Sequence, residues 1–209
     1  MPKLRIHQDS TLEVIHSLKL VGLVVTSDLS WHSHIKYTVG RVNSKLWQLI
    51  RFKQLGAAED KLVTFYILKI RSILMFGAVC FSSSLSSELS QTLELQQKRS
   101  LAIILGSRYK NYNNARILLK LPRLDSLRDA ACLKWALKSS KNPKHSHLFP
   151  LNETSVTTRS KKKYTEYFCH SAKYYKSAVP HMTRLLNSYY EKMSDTTTIV
   201  TNSGQSITV

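Results

Sequence analysis

A mainly α fold is predicted by three features of this 209-residue chain. Apolar residues recur at steps of three and four over several long stretches, Gly and Pro are scarce at 6 and 5, and strand-like patterning is confined to residues 3–25. The expected architecture is a helical bundle with a small N-terminal β-hairpin and a less regular, basic C-terminal module. Hydrophobic residues make up 43% of the chain, enough for a real core and too many for a disordered or collagenous protein.

The first segment, residues 1–29, carries LEVI at 12–15 and LKLVGLVV at 18–25, separated by His16 and Ser17, and reads as the hairpin. Ser30 then stands before Trp31 as an N-cap, and Ile35, Val39, Val42, Leu46, Leu49 and Ile50 mark an amphipathic helix that ends near Gly56. Lys36, Arg41, Lys45 and Arg51 fall opposite its apolar stripe, and no acid occurs between residues 29 and 58. Glu59 and Asp60 are placed to open a second helix, which turns Leu62, Phe65, Tyr66, Ile70, Ile73 and Leu74 inward and is expected to be buried nearly all round. Residues 62–81 are the most membrane-like stretch. Lys69 and Arg71 at its centre would each cost roughly 2.5 to 3.5 kcal/mol in a bilayer, so it reads as a core helix and no membrane is expected.

The serines at 82–84 break that helix. Ser86 or Ser87 starts a third, with Leu89, Leu93, Leu101, Ile104 and Leu105 inward and Gly106 as its stop. A short helix over 113–119 precedes Pro122, and Asp125 or Ser126 opens another that runs through Leu127, Ala131, Leu133, Trp135 and Leu137 and fades at Asn142 and Pro143. The bundle therefore spans 30–142. Beyond it a basic, tyrosine-rich module covers 143–193, holding six of the ten tyrosines and a last helix over 180–192, and the polar tail 194–209 is expected to be disordered.

Charge carries the functional signal. Lys and Arg number 31 against 13 Asp and Glu, a net charge of +18, which calls for a polyanionic partner. Between residues 95 and 124, Lys98, Arg99, Arg108, Lys110, Arg116, Lys120 and Arg123 occur without an acid. Tyr109 and Tyr112 are interleaved among them, where phosphate neutralisation and base stacking can combine. Arg159, Lys161, Lys162 and Lys163, with Tyr164 and Tyr167, form a second cluster suited to nucleic acid or to a weak nuclear-localisation signal. A nuclear or cytoplasmic setting is expected, since Cys80, Cys132 and Cys169 form no framework and the start MPKLRIHQDS has no signal-peptide core. The close pairs His32/His34, His145/His147 and Cys169/His170 lack zinc-ligand spacing. There is no Gly-x-Ser-x-Gly elbow or glycine-rich phosphate loop either, so no metal, cofactor or catalytic residue is assigned.

In order along the chain stand KLVGLVVTSDLSWHSHI (19–35), LVTFYILKIRSIL, LELQQKRSLAIIL and PHMTRLLN (180–187). Their order and spacing resemble the thumb and post-thumb region of reverse transcriptases from jockey-like, non-LTR retrotransposons, over roughly residues 1–190. Departures are Val21 for the usual Leu, Thr26 for a frequent Asp, Met75 and Phe76 for an acid-aromatic pair, and Leu127 for the first of two arginines. The palm's Tyr-x-Asp-Asp box, which would hold two Mg²⁺ ions about 4 Å apart, is absent from these residues.

The resemblance implies that Lys19, Leu20, Val21 and Gly22 match the primer-grip strand, with Gly22 admitting a nucleic-acid backbone. It also implies that helix 31–55 lies along the template-primer minor groove with Lys36, Arg41 and Lys45 on phosphates. The expected function is template-primer binding, to RNA, DNA or a hybrid, by a truncated copy without polymerase activity. The alternatives are a plain buried strand and solvated helix face in a decayed or domesticated scaffold, or a fragment that joins a palm-containing reverse transcriptase chain.

Overall fold

The structure is a computed structural model and describes residues 5–7, 10–11, 15–152 and 162–203. The fold is mainly α, as the periodicity predicts. It divides into two compact units, one of Met1–Phe76 with Ser86–Leu119 and the other of Gly77–Leu85 with Lys120–Val209. That division falls inside the expected 30–142 bundle and not at residue 143.

The first unit opens with β1 (Arg5–His7) paired to β2 (Ser10–Thr11), and β3 (Ser17–Leu20) paired antiparallel to β4 (Leu23–Thr26). The β3–β4 hairpin lies within LKLVGLVV, with Leu20 opposite Leu23. The turn is therefore at Val21 and Gly22, while residues 12–14 of the LEVI segment lie outside the described residues. Both turn residues have positive φ, +47° and +86°, the conformation of a type I′ turn whose twist matches the strands. Gly22 adopts it freely, but a β-branched residue in this region is strained. Val21 is also 85% exposed, so no packing offsets the strain. Val21→Asn is expected to raise stability by about 1 kcal/mol, measured as a higher urea midpoint at unchanged m value. A lower midpoint would show that the Val21 side chain contributes contacts of its own.

Helix α1 (His32–Gln54) starts one residue later than expected, with Trp31 at the N-cap position and no side-chain cap. Ser30 is used differently: its N–H donates to Asp28 Oδ1 at 3.1 Å, and its carbonyl accepts from Thr26 Oγ1 at 2.8 Å. An Asx turn thus links the hairpin to the helix. Ile35, Val42, Leu46 and Leu49 are buried and Val39 is half-buried, whereas Lys36 and Arg41 are exposed and Lys45 half-buried. His34 is buried beside Trp31 in an edge contact, and its Nδ1 accepts from the Val24 N–H at 3.4 Å, which ties β4 to α1. Burial pushes its imidazole below the usual histidine pKa, in keeping with an accepting ring nitrogen.

Helix α2 (Glu59–Phe65) runs through a π-helical segment, Tyr66–Arg71, into α3 (Ser72–Met75). By length and composition alone the stretch Glu59–Ser84 is long and apolar enough to cross a membrane. It is not buried all round: Leu62, Tyr66, Ile70 and Leu74 face the core, while Leu68 is 61% exposed and Lys69 and Ser72 are exposed with it. A single apolar stripe is what a helix packed on one side requires. The remainder of the unit is α5 (Ser87–Leu105), which packs on α1 and α2, and α6 (Tyr112–Leu118), which packs on α5. Ser86 caps α5 by accepting from the Leu89 N–H at 3.2 Å, and Gly106 ends it at φ +58°. Asn111 caps α6 in the same manner through Asn114 N–H at 2.9 Å. In the core, Tyr66 donates to Gln97 Oε1 at 2.7 Å, which satisfies two polar groups that are both fully buried.

The second unit is built from α4 (Ala78–Phe81), α7 (Leu124–Ser139), α8 (Ala172–Tyr175) and α9 (Ala178–Ser203). Cys132, Ala136, Phe149, Tyr164, Met182 and Leu186 form its core cluster. Helix α7 is buried mostly along its small and polar residues. Leu124, Arg128, Cys132, Ala136 and Ser139 are buried, and the apolar residues that mark the helix in the sequence lie on the flanks, with Trp135 exposed and Leu127, Ala131, Leu133 and Leu137 half-buried. The last helix also runs past residue 192 to Ser203, so the tail expected to be disordered from 194 begins as helix, and 204–209 lie outside the described residues.

Candidate nucleic-acid interface

The hairpin and α1 meet at a cluster of charge. Lys19 reaches from β3 to donate to the Tyr37 hydroxyl at 2.9 Å, with its Nζ 4.6 Å from the ring centroid. The Arg41 guanidinium carbon lies 5.8 Å from the same ring. The hydrogen bond from Lys19, assisted by the charges of Lys19 and Arg41, holds the Tyr37 phenol below its usual pKa. Neither Lys19 nor Arg41 has an ion-pair partner among the described residues. Two cations on one phenol make a local excess that an anion would relieve.

Leu20 and Val21 extend from this cluster into solvent at 57% and 85% exposure, so neither is part of a buried strand, while Leu23 and Val24 are half-buried. Gly22 has a plainer reason to be glycine than ligand approach. Its φ is positive, and a Cβ there would come within 3.0 Å of Phe76 Cε1. On α1, Lys36 is exposed, and Lys45 donates to Gln48 Oε1 at 3.2 Å.

The basic stretch 95–124 divides into committed and open residues. Arg108 is paired with Glu59, Arg123 with Asp125 at 2.7 Å, and the Arg116 guanidinium lies 5.4 Å from the Tyr112 ring centroid and bonds Asn113 Oδ1 at 3.4 Å. Tyr112 donates to Glu94, and burial together with that bond raises its pKa. Tyr109 is half-buried as well. The two tyrosines are thus held in the fold and not displayed as stacking platforms. The acids that pair its cations are Glu59, distant in sequence, and Asp125, just past its end, so its local lack of acids overstates the free charge. Lys98, Arg99 and Lys110 remain exposed and free of ion pairs among the described residues.

In the second unit Lys162 pairs with Glu166 at 2.9 Å, and Lys163 is exposed with its Nζ 3.8 Å from the Tyr190 ring centroid. Lys161 lies outside the described residues. No group of three His, Cys, Asp or Glu able to hold a metal ion occurs among the described residues.

Two residues of consequence escape a reading of charge alone. Tyr37 organises the Lys19 and Arg41 cluster, and its signal was its place between Lys36 and Arg41 on an acid-free helix. Lys53 is basic but unavailable, since its Nζ bonds the carbonyls of Ile103 and Ile104, the latter at 3.1 Å, at the C-terminal end of α5. A cation there complements the helix dipole and satisfies terminal carbonyls. Comparison with family models, with curated proteins and with solved structures gave no match to this chain.

Proposed function

We propose that this chain is a template-primer-binding piece related to the thumb and post-thumb region of non-LTR retrotransposon reverse transcriptases, without polymerase activity of its own. The observation that carries the reading is the convergence of Lys19 and Arg41 on Tyr37. These residues come from the strand and the helix that the sequence resemblance assigns to one nucleic-acid surface, and the acid-free α1 extends that surface. Lys and Arg in this arrangement suit phosphates and not base edges, so affinity for duplexes is expected with little sequence preference.

Fluorescence anisotropy with RNA, DNA and hybrid duplexes tests this over increasing salt. If about six phosphates are neutralised, log affinity should fall against log salt with a slope of roughly −5 on B-form DNA. Negligible affinity at low salt would favour a scaffold role for the fold. Given primed template, Mg²⁺ and deoxynucleotides, the chain by itself is expected to extend no primer, because the Tyr-x-Asp-Asp box that would hold two metal ions is absent from these residues. Template-dependent extension by a preparation free of other polymerases would overturn that part of the proposal.

A further inference from the structure

The solvent face of α1 holds a feature that neither the core nor the Lys19 cluster uses. Trp47 is 63% exposed, the Arg51 guanidinium carbon lies 5.7 Å from its ring centroid, and both are on the helix that lacks acids. Lys36, Gly40, Trp47 and Arg51 follow at steps of four, seven and four, which keeps them on one face, opposite the buried Ile35, Val42, Leu46 and Leu49. Gly40 is exposed, and a Cβ added there would meet nothing within 4 Å. A glycine in a helix interior costs roughly 0.5–1 kcal/mol relative to alanine. Neither packing nor a positive φ requires it here. Its effect is to leave bare backbone two turns before the exposed indole.

We infer that this face seats a short unpaired strand next to a duplex, one base stacked on the Trp47 indole and the sugar-phosphate chain running across Gly40 between Lys36 and Arg51. The inference rests on the nucleic-acid reading above and names the part of the ligand that this face takes. A flat exposed indole stacks on any base that is already unpaired, whereas within a duplex it would first have to unstack a base step at a cost of a few kcal/mol. Arg51 beside the ring supplies a cation for a flanking phosphate, and Lys36 supplies another near the start of the helix. A membrane fits less well, because Gly40, Asn43 and Ser44 occupy the place where a membrane-seated helix carries an apolar stripe.

The test compares a blunt duplex with the same duplex bearing a short single-stranded extension, at one salt concentration, for the wild-type chain, Trp47→Ala, Trp47→Phe and Gly40→Leu. The wild type should prefer the extended ligand by about fivefold to a hundredfold, the equivalent of one stacked base. Trp47→Ala should abolish the preference while blunt-duplex affinity changes less than about twofold, Trp47→Phe should keep most of it, and Gly40→Leu should lose it without lowering the melting temperature. Equal affinity of the wild type for both ligands, or an unchanged preference in Trp47→Ala, would overturn this inference and leave duplex binding standing. Absence of binding to either ligand would remove the nucleic-acid reading and this inference together. Trp47-dependent binding to anionic phospholipid vesicles, with both nucleic acids unaffected by the substitution, would assign the face to a lipid surface instead.

Discussion

Reversing Lys19, Arg41, Lys98, Arg99 and Lys110 to Glu is expected to flatten the salt dependence of duplex binding by about 4.5 units of slope, at ~0.9 for each phosphate no longer neutralised. Affinity at low salt should fall by at least about a hundredfold, because each reversal both removes a favourable charge and repels a phosphate. The fold should survive: all five side chains are exposed and none has an ion pair among the described residues. Arg108 is deliberately outside the set. It is paired with Glu59, so Arg108→Glu places two carboxylates together and mixes a stability effect with a binding effect. The Arg108 side chain is 63% exposed, which limits the stability change to under about 1 kcal/mol. If the five reversals leave affinity and slope unchanged while circular dichroism shows an intact fold, these residues form a solvated surface.

The Lys19 and Arg41 pair separates the proposed surface from a general excess of charge. A chain that binds polyanions merely because its net charge is +18 should respond to reversals anywhere in proportion to their number. Reversing Lys19 and Arg41 alone should then match the effect of reversing Lys138 and Lys141, two exposed residues outside the proposed surface. A larger effect at the Tyr37 cluster is expected, since both cations flank one ring and can meet neighbouring phosphates.

Much of the helical fold was legible because its signals are local. Ser86, Gly106 and the acids at 59 and 60 act within one turn of the helix ends they mark. The core side of α1 was legible because large apolar residues outnumber small ones on it. The buried face of α7 is not legible in the sequence for the converse reason. It packs against both α4 and α9, and a helix between two others keeps small residues at the points of closest approach, here Cys132, Ala136 and Ser139, with the leucines splayed to either side. A ranking by hydrophobicity cannot see that geometry, and it would not place Arg128 inside. The candidate site was legible as composition and not as arrangement. Which cations were already satisfied depended on Glu59 and on the carbonyls at the end of α5, and Glu94 holds Tyr112 in the fold, all partners supplied by tertiary structure. The hairpin turn was misplaced because His16 and Ser17 resemble a turn more than Val21 does, whereas Gly22 at φ +86° fixed the real one.

Asn187→Leu is expected to destabilise the second unit by about 2 to 5 kcal/mol, since it strands two buried backbone groups. In the segment PHMTRLLN the side chain of Asn187 is buried and grips Tyr164 from both sides. Its Oδ1 accepts from the Tyr164 N–H at 2.9 Å, and its Nδ2 donates to the Tyr164 carbonyl at 3.0 Å. A leucine of similar volume removes both bonds, and water does not reach the groups left behind. Asn187→Asp sharpens the test through pH. The ionised carboxylate keeps the bond from the Tyr164 N–H but sets an oxygen against the carbonyl, so folding favours its protonated form, which donates as the amide did. The folded pKa of that aspartate is therefore raised above its unfolded value of about 3.9, and the stability it contributes is present below that value and lost as pH rises through the folded pKa. Urea denaturation should show Asn187→Asp approaching the wild type near pH 4 and falling toward Asn187→Leu at pH 7. Equal destabilisation of Asn187→Asp at both pH values, relative to wild type, would mean that the grip on Tyr164 is not what makes Asn187 structurally necessary.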